Sequence, residues 1–174
     1  MAGSISEFKS SFNKDPARAS RFEVTFPQFL GKTISGGTYL GLDTRYICEI
    51  AQLPGRNFST MEQKTYGPVQ KFPYWTNYND IDLTFIVDDT MDTKVAFDTW
   101  MNYINPNTNF DFNYKETYVA EIVIDQYNVV GDISQSITLI DAFPINVNQL
   151  DLDWSSDSFH KLTVTFAYTY WKYS

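Results

Sequence analysis

Alternation of apolar and polar positions is the dominant pattern along this chain. Phe22, Val24 and Phe26 face one way and Arg21, Glu23 and Thr25 the other, which is the period of a half-buried strand ended by Pro27. Ile81, Leu83, Phe85 and Val87 alternate in the same way against Asp82, Thr84, Ile86 and Asp88. Further extended segments are predicted over 45–52, 60–66, 69–75, 118–127, 133–141, 146–154 and 159–172. Turn residues separate them: Leu53-Pro54-Gly55, Gly67-Pro68, Gly131-Asp132 and the run Ser155 to Ser158. Residues 31–41 hold four of the eight glycines and are read as a flexible loop or loose hairpin. Only one stretch has helical period. Asp89 or Thr90 offers an N-cap, Phe97, Trp100, Met101 and Ile104 recur at spacings of three and four, and Asn105-Pro106 stops the pattern.

One helix among many strands predicts a mainly β sandwich or small barrel with one flanking α-helix, a single domain over 21–174. Residues 1–20 are polar, small and broken by Asp15-Pro16, an arm with little to pack on itself. The hairpin around Gly67 is unusual. Glu62, Lys64, Gln70 and Lys71 interleave with Met61, Tyr66, Val69 and Phe72 and leave no clean apolar face for the chain's own core. So many strands also raise the question of sheet edges, which barrel closure or pairing with another subunit resolves.

Composition narrows the class. The 174 residues are 43% hydrophobic and 20% charged, within the globular range. Aromatics stand out at 17%, with fourteen Phe, twelve Tyr and four Trp, residues suited to strands and to wide contact surfaces. A formal charge of −8 argues against a nucleic-acid binder, which needs a surplus of Lys and Arg to neutralise phosphates. The start of the chain has no apolar core of signal-peptide type, and no later segment has the length of apolar sequence that spans a bilayer.

Chemistry is sparse. His160 is the only histidine and Cys48 the only cysteine, so a histidine triad, a histidine-rich metal site and an intramolecular disulfide are excluded within one chain. His160 is read as a surface residue and Cys48 as a packing residue of its strand. Acidic pairs occur at Asp80 and Asp82, Asp88 and Asp89, and Asp151 and Asp153; carboxylate pairs serve glycoside hydrolysis or calcium binding, but Asp-x-Asp on a strand equally puts two charges on one solvated face. Tyr74, Trp75, Tyr78, Phe110, Phe112 and Tyr114 can form a sugar-stacking platform or belong to core and subunit interface, the latter being favoured. The expectation is a protein that is not an enzyme and carries no cofactor.

In order along the chain, four segments resemble the tail tube protein of T4-like contractile-tailed bacteriophages. They are Asp15-Pro-Ala-Arg-Ala-Ser-Arg-Phe-Glu-Val, Tyr46-Ile-Cys-Glu-Ile-Ala-Gln-Leu-Pro-Gly, the charged hairpin centred on Gly67, and Leu150-Asp-Leu-Asp-Trp-Ser-Ser-Asp-Ser-Phe-His-Lys-Leu-Thr-Val-Thr-Phe-Ala-Tyr-Thr-Tyr-Trp. Residues 31–44 look longer than in that family, and 107–117 more aromatic. The resemblance implies hexameric rings, each subunit giving strands to one continuous inner barrel, stacked into a tube through which double-stranded DNA passes without specific binding. It implies that Met61, Glu62, Lys64, Tyr66, Gly67, Val69, Lys71 and Phe72 form a hairpin reaching neighbouring subunits. It also implies an acidic lumen, with Asp82, Asp88, Glu121 and Asp125 as candidate wall residues. Implied partners are further copies of the chain, a sheath protein, a tape-measure protein, baseplate tube-initiating proteins and a tail terminator, in a virion assembled in the host cytoplasm. The rivals are a tube subunit of another contractile injection machine, a baseplate tube initiator, and a carbohydrate-binding β-sandwich.

Overall fold

The structure, a computed structural model, describes residue 5 and residues 17–29, 32–33, 38–39, 42–43, 47–155 and 157–174. Most of the predicted arm over 1–20 therefore lies outside the described residues, as does most of the stretch over 31–44. What is described there is backbone alone, two ladders of two residues each: β2 (Gln28–Phe29) with β3 (Lys32–Thr33), and β4 (Thr38–Tyr39) with β5 (Leu42–Asp43).

Seven strands make the main sheet. β1 (Phe22–Thr25) pairs β10 (Ala120–Tyr127), which pairs β11 (Ile133–Val147), and all neighbours are antiparallel. From β11 the path continues through β12 (Lys161–Ala167) and β9 (Ile81–Ile86) to β6 (Cys48–Ala51). β11 belongs to both halves of the architecture. Its first half takes β13 (Tyr170–Tyr173) as partner at Ile137–Ile140, and its second half takes β12 at Phe143–Val147. Between them Asp141 adopts φ 54, and the core-facing positions slip from Ile137 and Leu139 to Ala142 and Pro144. The strand thereby bends from one layer of a sandwich into the other, as a bulged strand does at a sheet corner.

The predicted mainly β class is what the chain adopts, and among the described residues the helix over 92–104 is the one longer than a single turn, with corrections to the elements. Segments predicted as two strands over 133–141 and 146–154 are one bent strand ending at Val147, and residues 148–155 and 157–160 lie outside strands and helices. The last predicted strand is interrupted at Tyr168 and Thr169, which divide β12 from β13. Residues 115–118 close a single helical turn, α2 (Lys115–Tyr118), and the strand predicted from Tyr118 begins at Ala120.

Between the layers lies one apolar cluster. Helix α1 (Asp92–Ile104) contributes Ala96, Phe97, Trp100 and Ile104, and the strands contribute Val24, Leu83, Phe85, Ile122, Ile124, Leu139, Leu162, Val164 and Phe166. Phe26 is completely buried at its centre, 6.0 to 6.4 Å from the rings of Phe85, Phe97, Trp100 and Phe166. Such tilted and edge-on pairs add about 0.5–1.5 kcal/mol each beyond the area they bury. The Trp100 indole N–H donates to the Tyr118 carbonyl at 2.8 Å, so the ring's polar tip is satisfied and α1 is tied to α2.

Candidate assembly surface

β7 (Asn57–Gln63) and β8 (Gln70–Asn77) pair with each other and with no strand of the main sheet. Almost every residue of both strands is exposed. The register puts Met61 opposite Phe72 and Ser59 opposite Trp75, with a bulge between Ser59 and Thr60. Residues directly opposite share a face, so Met61, Phe72 and Trp75 form an apolar stripe on one side. Thr60, Glu62, Lys71 and Pro73 occupy the other, where Lys71 and Glu62 pair at 3.8 Å. Register thus puts Met61 and Phe72 on one face and Glu62 and Lys71 on the other, with Gln70 sharing the first face and the exposed Phe58 the second. Phe72 is 42% exposed, Met61 58% and Trp75 63%, which is a cost in water unless a partner covers them.

Of the hairpin residues singled out from sequence, Met61, Glu62, Lys71 and Phe72 lie within the paired strands. Lys64, Tyr66, Gly67 and Val69 form the turn beyond, because the strands begin and end about three residues before the segments predicted over 60–66 and one or two residues after those over 69–75. Gly67 has φ 103, a left-handed conformation that only glycine adopts without strain. Tyr66 stands at the tip, fully exposed. At the hairpin base the Asn77 amide donates to the Ser59 hydroxyl at 2.9 Å, and the Arg56 guanidinium sits 5.2 Å over the Phe58 ring.

The four candidate wall acids do not share one surface. Glu121 and Asp125 lie on the solvent side of β10, where the β1–β10 register also places Glu23, and the Tyr127 hydroxyl donates to Glu23 at 2.7 Å. Asp82 lies on the solvent side of the opposite layer and accepts from the Thr165 hydroxyl at 2.7 Å. Asp88 is past the end of β9 and serves α1. Partial burial pushes its carboxyl up, but hydrogen bonds from the Thr90 hydroxyl and the Thr93 backbone N–H outweigh that and hold it below the ordinary carboxylate value.

The remaining candidates separate in the same way. Tyr74 and Trp75 sit on the hairpin, Phe110, Phe112 and Tyr114 on the loop before α2, and Tyr78 packs on Tyr168 with ring centroids 6.2 Å apart. Asp153 accepts from the Ser155 N–H and hydroxyl. Among the described residues no group of three His, Cys, Asp or Glu side chains is placed to share a metal ion. Burial pushes the Cys48 thiol up to about 12, partly offset by hydrogen bonds with the backbone at Ile50 and Thr84, which makes it a packing residue with almost no thiolate. Among the described residues no helix is long and apolar enough to cross a membrane.

A turn is predicted only over 155–158, but the described residues of 148–160 all lie outside strands and helices. They enclose a cleft of about 550 Å³ lined by residues 149–154 and 158–161, with Leu152, Trp154 and Phe159 largely exposed at it. The sequence signals the turn at Ser155 to Ser158, while alternation assigns the flanking 148–154 and 159–160 to strands.

A family model described as phage tail tube protein matches residues 17–174. No curated protein matches the sequence. Among solved structures, the fold is similar to a chain of the anti-feeding prophage baseplate, solved by cryo-electron microscopy and six-fold symmetrised. That match has a TM-score of 0.69 and 19% identity over 92% of this chain and 97% of that one. A chain of the tube-terminating cap of the same prophage has a TM-score of 0.67 and 21% identity, covering 92% of each chain. A chain of the extended sheath–tube complex of PVC, an extracellular contractile injection system, has a TM-score of 0.62 and 17% identity over 99% of each. At these identities the likeness is one of fold.

Proposed function

The chain belongs to the phage tail tube protein family, and on that premise we propose that it stacks as hexameric rings into the inner tube of a contractile tail, a conduit for viral DNA. The observation that carries this reading is the hairpin β7–β8, which holds Met61, Phe72 and Trp75 on a two-stranded ribbon that no other strand pairs among the described residues. A two-stranded ribbon is marginal by itself in water. A neighbour that covers its apolar face supplies what the subunit does not.

Ring closure addresses the sheet as well. β1 and β6 end the strand path, each with one edge that no strand pairs among the described residues; pairing across subunits turns such edges into one continuous inner barrel. Six-fold symmetry of the similar baseplate supports six subunits per turn. Sheath, tape-measure, baseplate tube-initiating and terminator proteins are then the partners, the virion is the final location and the host cytoplasm the place of assembly. The formal charge of −8 per subunit suits a wall that phosphates do not adhere to.

A second reading keeps the subunit and changes the machine. The similar chains come from an anti-feeding prophage and an extracellular injection system, so the same tube design can serve a device of that kind. Negative-stain microscopy of concentrated protein tests the shared premise: rings or striated hollow cylinders are expected. Persistent monomers that bind glycans and gain thermal stability from calcium would favour the carbohydrate-binding sandwich instead and remove the tube reading.

A further inference from the structure

Two short legs join the β7–β8 hairpin to the sandwich, residues 52–56 after β6 and 78–80 before β9. Both legs are held by the segment around the break between β12 and β13. On the first, the Trp171 indole N–H donates to the Gly55 carbonyl at 3.2 Å. On the second, the Tyr78 ring packs on Tyr168 with centroids 6.2 Å apart. The break is itself fixed to the corner of β11, because the Thr169 N–H donates to the Ile140 carbonyl at 3.0 Å and its hydroxyl to Asp141 at 3.1 Å. Trp171 has little freedom either. Register sets it opposite the completely buried Leu139, so its ring lies on the core side of β13, where the Tyr173 ring meets it edge-on at 5.0 Å.

Gly55 is the point at which the first leg can turn. Its φ lies outside the left-handed range and a Cβ there would meet nothing within 4 Å, so neither backbone conformation nor crowding calls for glycine. What glycine adds is rotation that any other residue restricts. On one side Pro54 is buried in the subunit; on the other, Arg56 to Phe58 are exposed. A free joint between a fixed part and a solvent-borne one has the character of a hinge. Resting on the tube-subunit reading, in which the hairpin meets a neighbour, we propose that Gly55 is the hinge of the hairpin and Trp171 its positioning residue. The indole clasps the hinge, so that the hairpin leaves its own sandwich at one angle before any neighbour arrives. An angle fixed in the free subunit removes an ordering cost that would otherwise fall on assembly. The second leg is held by ring packing alone, since the Tyr168 hydroxyl is buried with no hydrogen-bond partner.

Spin-label distances in dilute, unassembled protein read the angle without reference to assembly. Labels go on Tyr66→Cys at the fully exposed tip and on Val130→Cys in the exposed turn between β10 and β11. Cys48 stays unlabelled because its thiol is held protonated. The otherwise unaltered chain is expected to give a single narrow distance distribution. Trp171→Phe keeps a ring and removes the N–H, and should about double the width as the glycine joint is released. Adding Gly55→Ala, for which there is open space, should bring the width most of the way back. Tyr168→Phe removes only the unpartnered hydroxyl and should leave the width unchanged. In sedimentation, Trp171→Phe is expected to lower the assembled fraction about fivefold, the scale of one hydrogen bond, and Gly55→Ala to recover part of that loss. The thermal midpoint of the subunit should stay within about 4 °C, which separates a lost angle from a damaged core. An unchanged width in Trp171→Phe, or no narrowing on adding Gly55→Ala, overturns the clasp and leaves the tube reading standing. A broadened hairpin that assembles as well as the unaltered one overturns its role in assembly. If the unaltered chain never assembles, the tube reading fails while the widths still decide the clasp.

Discussion

At Asp88 one carboxylate performs the capping that α1 lacks at its formal start. Met91, the residue before the helix, has φ 60 and no side-chain hydrogen bond to offer, yet the Asp88 carboxylate three residues earlier accepts from the Thr93 N–H and from the Thr90 hydroxyl. Sequence reasoning placed the cap at Asp89 or Thr90; the excursion through a left-handed Met91 moved it back by a residue or two, and no local pattern encodes that excursion. Asp88→Ala is expected to cost about 1 kcal/mol in urea denaturation of the unassembled subunit, the usual worth of an N-cap. The folded carboxyl is held below its ordinary value. Its contribution is therefore complete above the unfolded pKa of about 4 and fades as pH falls through the folded value. The stability gap between Asp88→Ala and the unaltered chain should shrink on acidification below about pH 4; a gap that stays constant there would assign the cap to another group.

At the scale of elements, β11 shows why alternation was a good guide in some places and a poor one in others. β9 and α1 were legible because their apolar periods run unbroken from end to end, Ile81 to Phe85 and Phe97 to Ile104. β11 keeps one hydrogen-bonded path while its core phase slips by one residue at Asp141, and Pro144 adds a second irregularity in its pairing with β12. A reader of alternation ends the strand at the slip and starts another. The bend is held by the Thr169 hydroxyl, which donates to Asp141 at 3.1 Å, and by Lys115, 3.6 Å from the same carboxylate. Asp tolerates a left-handed backbone and a β-branched residue does not. Asp141→Val is accordingly expected to lose about 2 kcal/mol of stability in thermal or urea unfolding, while Asp141→Gly should stay within about 1 kcal/mol because the ion pair it removes is largely solvated. Equal losses in the two variants would mean that the side-chain contacts, and not the backbone, hold the corner.

For the whole molecule, the proposed tube requires one layer to face its channel, and the split among the acids distinguishes the two layers. Asp82 is engaged by Thr165 on one layer, in a row where Thr84 and Thr163 also bond to each other at 3.1 Å, so that surface is polar without being strongly charged. The opposite layer gathers Glu23, Glu121 and Asp125 on one face, which also carries Arg21 and, through the β10–β11–β13 register, Lys172. Sequence could rank these acids only by alternation, which says that a side chain leaves the core but not which of two outward faces it reaches. The field of a channel comes from charge repeated around a ring, and a repulsive wall for DNA needs acids concentrated on one face. The β1–β10 face meets that requirement better. Tubes assembled from the Glu121→Lys, Asp125→Lys variant are expected to retain short double-stranded DNA on sedimentation at low salt and to release it as salt rises, because lysines on the wall would condense phosphates in place of counterions. Tubes of an Asp82→Lys variant should release DNA as the unaltered tube does. The reverse outcome would turn the subunit around and put the β9–β12 face on the channel.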